Sequence, residues 1–276
     1  MSKYKEIYNL SIKNKEEFWK KVSEDVFWYE EPTKILNTEN PPFYKWFEDG
    51  VTNTCYNALD IHVNNGRGEK VAIIYDSPIT NTQKKISYKE LRDKVALFAG
   101  ALKKQGVRKK DRVIIYMPMI PEAVITMLAC GRIGAVHSVV FGGFAANELA
   151  SRIDDSKAKL IVSASCGYEP GRTVEYKPLL NKAIELAKHK PNKSIIYQRE
   201  KFKAELNNAT DISWEDSLKD VKPADCEKMK GSDYAYILYT SGTTGLPKGI
   251  VRDIAGHIVA LKWTMKNIYN IDQDDV

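Results

Sequence analysis

The sequence is poor in cysteine and histidine, and neither residue type falls into a ligand-binding pattern. Four cysteines and four histidines are scattered over 276 residues, with no CxxC pair, no HExxH string and no paired metal-ligand spacing. This distribution argues against a disulfide framework and a zinc centre, and it favours buried, reduced thiols. The cysteines are Cys55, Cys130, Cys166 and Cys226, and the histidines are His62, His137, His189 and His257.

Long apolar runs are missing as well. The most apolar stretch, residues 113–131, contains Pro118, Pro121 and Glu122 and is too interrupted to cross a bilayer. The N-terminus has no apolar signal core, and it carries several glutamates and little arginine. We therefore expect no membrane partner, neither a secretory signal nor a mitochondrial presequence, and a cytoplasmic location.

A strong excess of one charge is also absent. The chain has 42 basic and 36 acidic residues, a net charge of +6, and no basic run dense enough for a nucleic-acid arm. A solvated, lysine-rich surface is the simpler interpretation, so we expect no nucleic-acid partner. With 43% hydrophobic and 28% charged residues, the composition is that of an ordinary globular protein.

The pattern of the chain changes near residue 66. Residues 1–66 are rich in aromatic residues and are interrupted by Pro32, Pro41 and Pro42. We expect them to form an irregular N-terminal region that packs onto a larger body through its rings. Residues 67–276 form that body.

In residues 67–276, short apolar runs alternate with helical patterns. The runs are continuously apolar, which is typical of parallel strands buried on both faces. Ser87 and Glu90 form a capping box that opens a helix, and Pro121 suits a first helical turn. The predicted fold class is α/β, with parallel sheets covered by helices. The predicted strands are 70–75, 112–117, 136–141, 160–164, 194–197 and 234–239, residues 198–231 are a polar, irregular surface excursion, and the last helix is 254–269.

The segment richest in chemistry follows the strand at 234–239. Residues 240–249 read TSGTTGLPKG. Glycines let this backbone approach a ligand closely, its hydroxyls and free N–H groups can cradle an anion, and Lys248 adds a positive charge. The pattern suits a triphosphate, although composition alone leaves a ligand-free connecting loop equally open. The chain has no Walker A loop, no GxGxxG after a strand and no GxSxG nucleophile elbow.

The eleven-residue string YTSGTTGLPKG (239–249) resembles the phosphate-binding loop of the acyl-adenylate-forming superfamily. The strings YNLSIKNKEEFW, YKWFEDGVTNTCYNALD and GRIGAVHSVVFGGFAANELASRIDDSKAKLIVSA are similar to the AMP-forming acetyl- and propionyl-CoA synthetases. A luciferase or aryl-CoA ligase is disfavoured because of the aromatic N-terminal region. The resemblance covers nearly the whole chain and implies that ATP phosphates bind Thr240, Ser241, Gly242, Thr243, Thr244, Gly245 and Lys248.

The resemblance also implies where the parts of the chain belong. Residues 1–66 correspond to the acetyl-CoA-synthetase-type N-terminal region, and residues 67–276 to the first part of the AMP-binding domain. The chain is thus expected to be the N-terminal portion of the enzyme, with an incomplete N-terminal domain. In the family, the acid pocket, a magnesium-binding acid and the lid domain with its catalytic lysine all lie further on. We therefore expect no catalytic residue and no metal ligand within the chain, an inactive chain by itself, and exposed apolar surface.

The implied reaction uses ATP, Mg²⁺ and coenzyme A to activate acetate or propionate through an acyl-adenylate. For coenzyme A, Gly171 and Arg172 match an Arg-x-Gly-Arg motif of acetyl-CoA synthetases, but Glu169 replaces the first arginine. A surface arginine paired with a neighbouring acid is an equally open interpretation of Arg172. Arg252-Asp253 favours propionate over acetate. The alternative function is a truncated nucleotide- or partner-binding protein without catalysis, and the sequence does not indicate an oligomeric state.

Overall fold

The computed structural model describes residues 3–240 and 247–276. The α-helices of this part are α1 (Lys3–Lys13), α2 (Lys15–Ser23), α3 (Tyr88–Lys104), α4 (Pro121–Arg132), α5 (Ala146–Ser156), α6 (Tyr176–Leu186), α7 (Trp214–Ser217) and α8 (Ala255–Asn267), with π-helical turns at Tyr56–Asp60 and Val63–Arg67. The strands are β1 (Leu36–Asn37), β2 (Lys45–Trp46), β3 (Val51–Thr52), β4 (Val71–Ser77), β5 (Thr82–Ser87), β6 (Arg112–Met117), β7 (Val136–Phe141), β8 (Leu160–Ala164), β9 (Cys166–Glu169), β10 (Arg172–Glu175), β11 (Lys193–Tyr197), β12 (Asp211–Ser213), β13 (Met229–Lys230), β14 (Tyr234–Thr240) and β15 (Lys248–Asp253).

The centre of the fold is a sheet with the strand order β12-β11-β8-β6-β7-β14-β15. All neighbours pair in parallel except β14 and β15, which are antiparallel. The inner strands β6 and β8 are almost completely buried, because their continuous apolar runs have helices on both faces. The predicted α/β class with a parallel sheet is confirmed.

The connections on either side of β6 run in opposite directions. α4 leads from β6 to β7 on one side, whereas α5 leads from β7 back to β8 on the other side of β6. Because such crossovers are right-handed, α4 and α5 lie on opposite faces of the sheet. The reversal leaves a crevice between the carboxyl ends of β6 and β8, which is where ligands commonly bind in such sheets.

The two helix starts expected from the sequence are present. The Ser87 hydroxyl accepts a hydrogen bond from the backbone N–H of Glu90 at 3.2 Å, which caps α3. Pro121 is the first residue of α4. Both helices therefore begin at the carboxyl edge of the sheet.

The N-terminal region packs through its rings as expected, but it is irregular only after its first 23 residues. Trp19 lies 6.3 Å from Trp263 of α8 and 6.2 Å from Trp46, measured between ring centroids. Two helices, α1 and α2, cover residues 3–23. This stretch contains no proline and many good helix formers, since the first proline of the chain is Pro32.

Two other segments differ from the sequence prediction. The strand expected at 70–75 is present as β4, but it pairs antiparallel with β5 outside the central sheet. Residues 198–231 are not wholly an irregular surface excursion, because β12 adds a strand to the sheet and Trp214 is buried in a stack on Phe98, with 3.8 Å between ring centroids. A three-residue strand is too short for a periodic pattern to reveal.

Within residues 3–240 and 247–276, no helix combines the length and the apolar character that a membrane crossing demands.

Candidate nucleotide site

The parallel strands end together at one edge of the sheet. β6, β7, β8, β11 and β14 all run in the same direction, so the segments that follow them share this carboxyl edge. Thr240 is the last residue of β14. The start of the candidate phosphate loop therefore lies where the topology places ligand sites.

Thr240 and Lys248 face each other across this end of the sheet. They are paired residues of the antiparallel strands β14 and β15, and both are exposed. The loop thus begins and ends at paired backbone positions, one with a hydroxyl side chain and the other with an ammonium side chain. The other residues predicted to bind phosphate lie outside the described residues: Ser241, Gly242, Thr243, Thr244 and Gly245.

A polar contact beneath this point fixes the end of β14 to α5. The Tyr239 hydroxyl donates a hydrogen bond to an Asp155 carboxylate oxygen at 2.6 Å, and the Arg152 guanidinium carbon lies 5.4 Å from the Tyr239 ring centroid. Burial, followed by the hydrogen bond with Asp155 and then the negative charge of that carboxylate, raises the pKa of Tyr239 above its ordinary value. The phenol therefore stays protonated and keeps donating at neutral pH.

The loop after β7 is shaped by glycine. A Cβ atom on Gly142 would lie 2.3 Å from the Tyr176 hydroxyl, and one on Gly167 would lie 2.4 Å from the same oxygen. Gly143 has a φ of +95°, a conformation that favours glycine. The backbone after β7 and the Tyr176 ring therefore interlock, and only glycine leaves room for this contact.

The residues expected to bind coenzyme A lie in the hairpin of β9 and β10. Gly171 has a φ of +76° in the turn, which glycine adopts without strain. The Arg172 side chain is 70% exposed, and its Nη2 atom pairs with a Glu169 carboxylate oxygen at 2.6 Å. An exposed pair of this kind contributes about 1 kcal/mol or less, so Arg172 can exchange Glu169 for a phosphate at little cost.

Asp253 belongs to the Arg252-Asp253 pair that favoured propionate in the sequence analysis. In the structure it has a structural role. Its carboxylate accepts a hydrogen bond from the backbone N–H of His257 at 3.2 Å, at the start of α8. Tyr236 and His257 are joined by a 2.8 Å hydrogen bond between Oη and Nε2. Burial raises the pKa of Asp253 and lowers the pKa of His257, the latter with help from the charge of Arg252. Helix capping is therefore sufficient to explain an aspartate here.

Among the described residues, one group of side chains has the composition of a metal site: Cys55, Asp60 and Cys226. The cation beside it is an arginine, because Arg132 donates to both Asp60 oxygens, at 2.7 and 3.0 Å. A hydrogen bond with Cys55, and then burial, raise the pKa of Cys226 far above its ordinary value. Mg²⁺ takes oxygen ligands and not thiols, so this group, with two cysteines and a carboxylate already paired with arginine, does not fit the Mg²⁺ that the resemblance implies.

Comparison with known sequences places the chain in a family. The sequence model described as "AMP-binding enzyme" matches residues 61–276, and the one described as "Acetyl-coenzyme A synthetase N-terminus" matches residues 4–58. The chain belongs to the AMP-binding enzyme family. It spans about 40% of the length of the curated relatives it matches.

Those relatives are CoA synthetases. The chain is 50% identical over 274 residues to the mouse mitochondrial acyl-CoA synthetase short-chain family member 3, covering 99% of this chain and 40% of the relative. It is 48% identical over 276 residues to the human protein of that name, covering 100% and 40%. It is 40% identical over 278 residues to acetyl-coenzyme A synthetase of Aeromonas hydrophila, covering 99% and 43%.

A solved structure shares the fold. Acetoacetyl-CoA synthetase from Streptomyces lividans superposes with a TM-score of 0.89 at 24% identity, covering 98% of this chain and 41% of that chain. At this identity the similarity establishes the fold alone. The predicted fold class, α/β with a parallel sheet covered by helices, is confirmed.

Proposed function

We propose that this AMP-binding family chain supplies the phosphate-holding part of an AMP-forming short-chain acyl-CoA synthetase. The observation that carries the proposal is the pairing of Thr240 with Lys248 at the carboxyl edge of the sheet, on either side of the string SGTTGLP. A triphosphate at this edge meets a hydroxyl donor and an ammonium charge, both of which stabilise charge on the phosphates.

The proposed reaction has two steps. A carboxylate oxygen attacks the α-phosphorus of ATP, giving an acyl-adenylate and pyrophosphate, and the CoA thiolate then displaces AMP. Lys248 and Thr240 act in the first step by positioning the phosphates and neutralising their charge. Arg172 and Gly171 act in the second by holding the nucleotide end of coenzyme A. Mg²⁺, when bound, adds charge neutralisation at the phosphates, and no described residue is assigned to it.

Propionate is the carboxylate we propose, with acetate second. The sequence pair Arg252-Asp253 supports propionate, although its support is reduced by the capping role of Asp253. We also propose a cytoplasmic location, supported by the free cysteines, which suit a reducing compartment. The mouse and human relatives are named as mitochondrial, so fractionation of source cells distinguishes the two locations.

The test begins with the native protein, captured from source cells with an antibody against this chain. We expect a band at more than twice the 31.3 kDa of the chain, and carboxylate-dependent ATP–pyrophosphate exchange that is faster with propionate than with acetate. The 276-residue chain alone is expected to give no exchange. A single native band near 31 kDa without exchange would instead support the alternative, a nucleotide- or partner-binding protein.

The role of Lys248 is tested by substitution. Lys248→Ala is expected to weaken ATP binding by about tenfold, since it removes one charge-assisted contact. Lys182→Ala is the matched control, because Lys182 is an exposed lysine on α6 that pairs with Glu185. Equal ATP affinity of the two variants would contradict the phosphate role.

A further inference from the structure

A cavity of about 480 Å³ opens at the carboxyl edge, beside the crevice between β6 and β8. The β4–β5 hairpin, α3, the first turn of α4 and the segment after β11 enclose it. Its volume lies within the range of small-molecule sites. It shares no residue with the candidate phosphate loop or with Gly171 and Arg172.

The wall of this cavity contains a buried arginine without an acidic partner. Arg199 is only 8% exposed. Its guanidinium carbon lies 4.5 Å from the ring centroid of Tyr168, and no ion pair or hydrogen bond joins the guanidinium to any residue in the described part of the chain. The other two buried arginines differ in this respect, since Arg132 pairs with Asp60 and Arg152 with Glu148. Its nitrogens are not among the described atoms that are both unpartnered and closed off from solvent, so the charge opens into the cavity, where an anion can pair with it.

A second polar group in the same wall lacks a partner. The buried Thr80 hydroxyl makes no hydrogen bond to the described residues, and Thr80 lines the cavity with Arg199. Buried polar groups are nearly always hydrogen-bonded. An unmatched hydroxyl thus lies in the same wall as the unpaired cation.

The charge of the lining matches a dianion. Five basic and three acidic side chains line the cavity, an excess of two positive charges. Lys94 is already paired with Glu90 at 2.7 Å. A phosphate monoester carries about −1.5 to −2 at neutral pH, which balances this excess. The basic residues without an acidic partner among the described ones are Lys84, Lys85, Arg199 and Lys201.

The rest of the wall is apolar or neutral. Trp214 is stacked on Phe98, and Ile120 and Ile125 close the side next to α4. Burial, then the charge of the neighbouring Glu122, raises the pKa of Tyr197 to about 12, so this phenol adds no negative charge. An organic group attached to the phosphate therefore has an apolar surface to contact.

We propose that this cavity is a binding site for a small phosphate monoester, with the phosphate on Arg199 and the organic group against Trp214 and Ile120. The site is separate from the phosphate loop and does not depend on the proposed synthetase activity.

The probe is phenyl phosphate, titrated calorimetrically into the 276-residue chain at constant ionic strength. We expect saturable binding that is weakened about tenfold in Arg199→Gln, the factor expected for losing one charge-assisted hydrogen bond. Arg92→Gln is the matched control, because Arg92 lies on α3 outside the lining and bonds to Asp93. Lys201→Gln, at an exposed position, is expected to weaken binding less than Arg199→Gln. If Arg199→Gln does not fold, Lys201→Gln still shows whether a basic residue of this cavity contributes to binding.

Three further measurements test which ligand chemistry the site recognises and where in the protein the ligand binds. Benzoate, which has the ring but one charge, and inorganic phosphate, which has the charge but no ring, are both expected to bind several-fold more weakly. Lys248→Ala is expected to keep full affinity for phenyl phosphate, whatever it does to ATP. The proposal is overturned if phenyl phosphate does not saturate the unaltered chain, if the folded arginine and lysine variants both bind it normally, or if benzoate binds equally well.

Discussion

We expect the buried ion pair of Arg132 and Asp60 to be important for stability. The free-energy cost of breaking it can be predicted. The guanidinium makes two hydrogen bonds to the carboxylate, at 2.7 and 3.0 Å, and the side chains are only 6% and 13% exposed. The Arg132 Nε atom donates to the Ala224 carbonyl at 2.6 Å. The pair thus joins the end of α4 to a π-helical turn and to the segment before β13.

Asp60→Asn keeps the shape of this side chain but leaves the arginine buried without a counter-charge. Breaking a buried pair in this way costs about 3–5 kcal/mol, and we expect the free energy of unfolding to fall by that amount. Burial alone lowers the pKa of Arg132, but the hydrogen bond to Asp60 and the nearby negative groups outweigh it and raise the pKa above its ordinary value. A guanidinium does not lose its proton in a protein, so the arginine remains charged in the variant.

Arg132→Met, made alone and together with Asp60→Asn, completes the measurement. If the cost comes from an uncompensated charge, the double variant is no less stable than Asp60→Asn alone, because it has no charge left to bury. Urea unfolding followed by fluorescence and by circular dichroism gives the free energies where the two transitions coincide. Glu185→Gln, in an exposed pair with Lys182, is the control and should cost less than about 1 kcal/mol. Losses that simply add in the double variant, or a loss below about 1 kcal/mol for Asp60→Asn, would refute the reasoning.

Three smaller perturbations test other parts of the fold. Ser87→Ala removes the cap of α3 and should cost about 1 kcal/mol, seen as a lower urea midpoint. Gly142→Ala puts a Cβ atom 2.3 Å from the Tyr176 hydroxyl and should cost about 1–3 kcal/mol in thermal unfolding; Tyr176→Phe added to it should restore part of that loss, whereas no restoration would exclude the hydroxyl as the cause. Burial lowers the pKa of His137 from 6.5 to about 4, so the folded state resists protonation; stability should be full above pH 6.5 and fall towards pH 4, by up to about 3 kcal/mol more than in His137→Phe.

Local patterns were sufficient for the inner strands of the sheet and for the start of the candidate site. The strands β6 and β8 are short, continuous apolar runs, and such runs are visible without knowing what covers them. Ser87 and Pro121 act at the start of their own helices, so their roles follow from residue type. The same reasoning does not reveal β15, which follows the loop, because its residues alternate neither in polarity nor in burial.

Contacts between distant segments account for what the sequence did not reveal. Arg132 and Asp60 are 72 residues apart, and nothing near either residue indicates the other. The sequence distances between Cys55 and Cys226 likewise argued against any cysteine cluster, yet the fold places both beside Asp60. Such groups depend on strand order, which the apolar pattern leaves open.

Arg199 is a residue whose candidate role could have been recognised in part from the sequence. It lies two residues beyond β11, just as Thr240 closes β14 and Gly142 follows β7. In a parallel sheet every strand exit reaches the same edge, so a charged residue soon after a buried strand is a candidate ligand contact even without a motif. The phosphate-loop string drew attention because it is long and glycine-rich, whereas Arg199 has no such string around it. What separates Arg199 from an ordinary surface arginine is its burial without a partner, and only the packed structure supplies that fact.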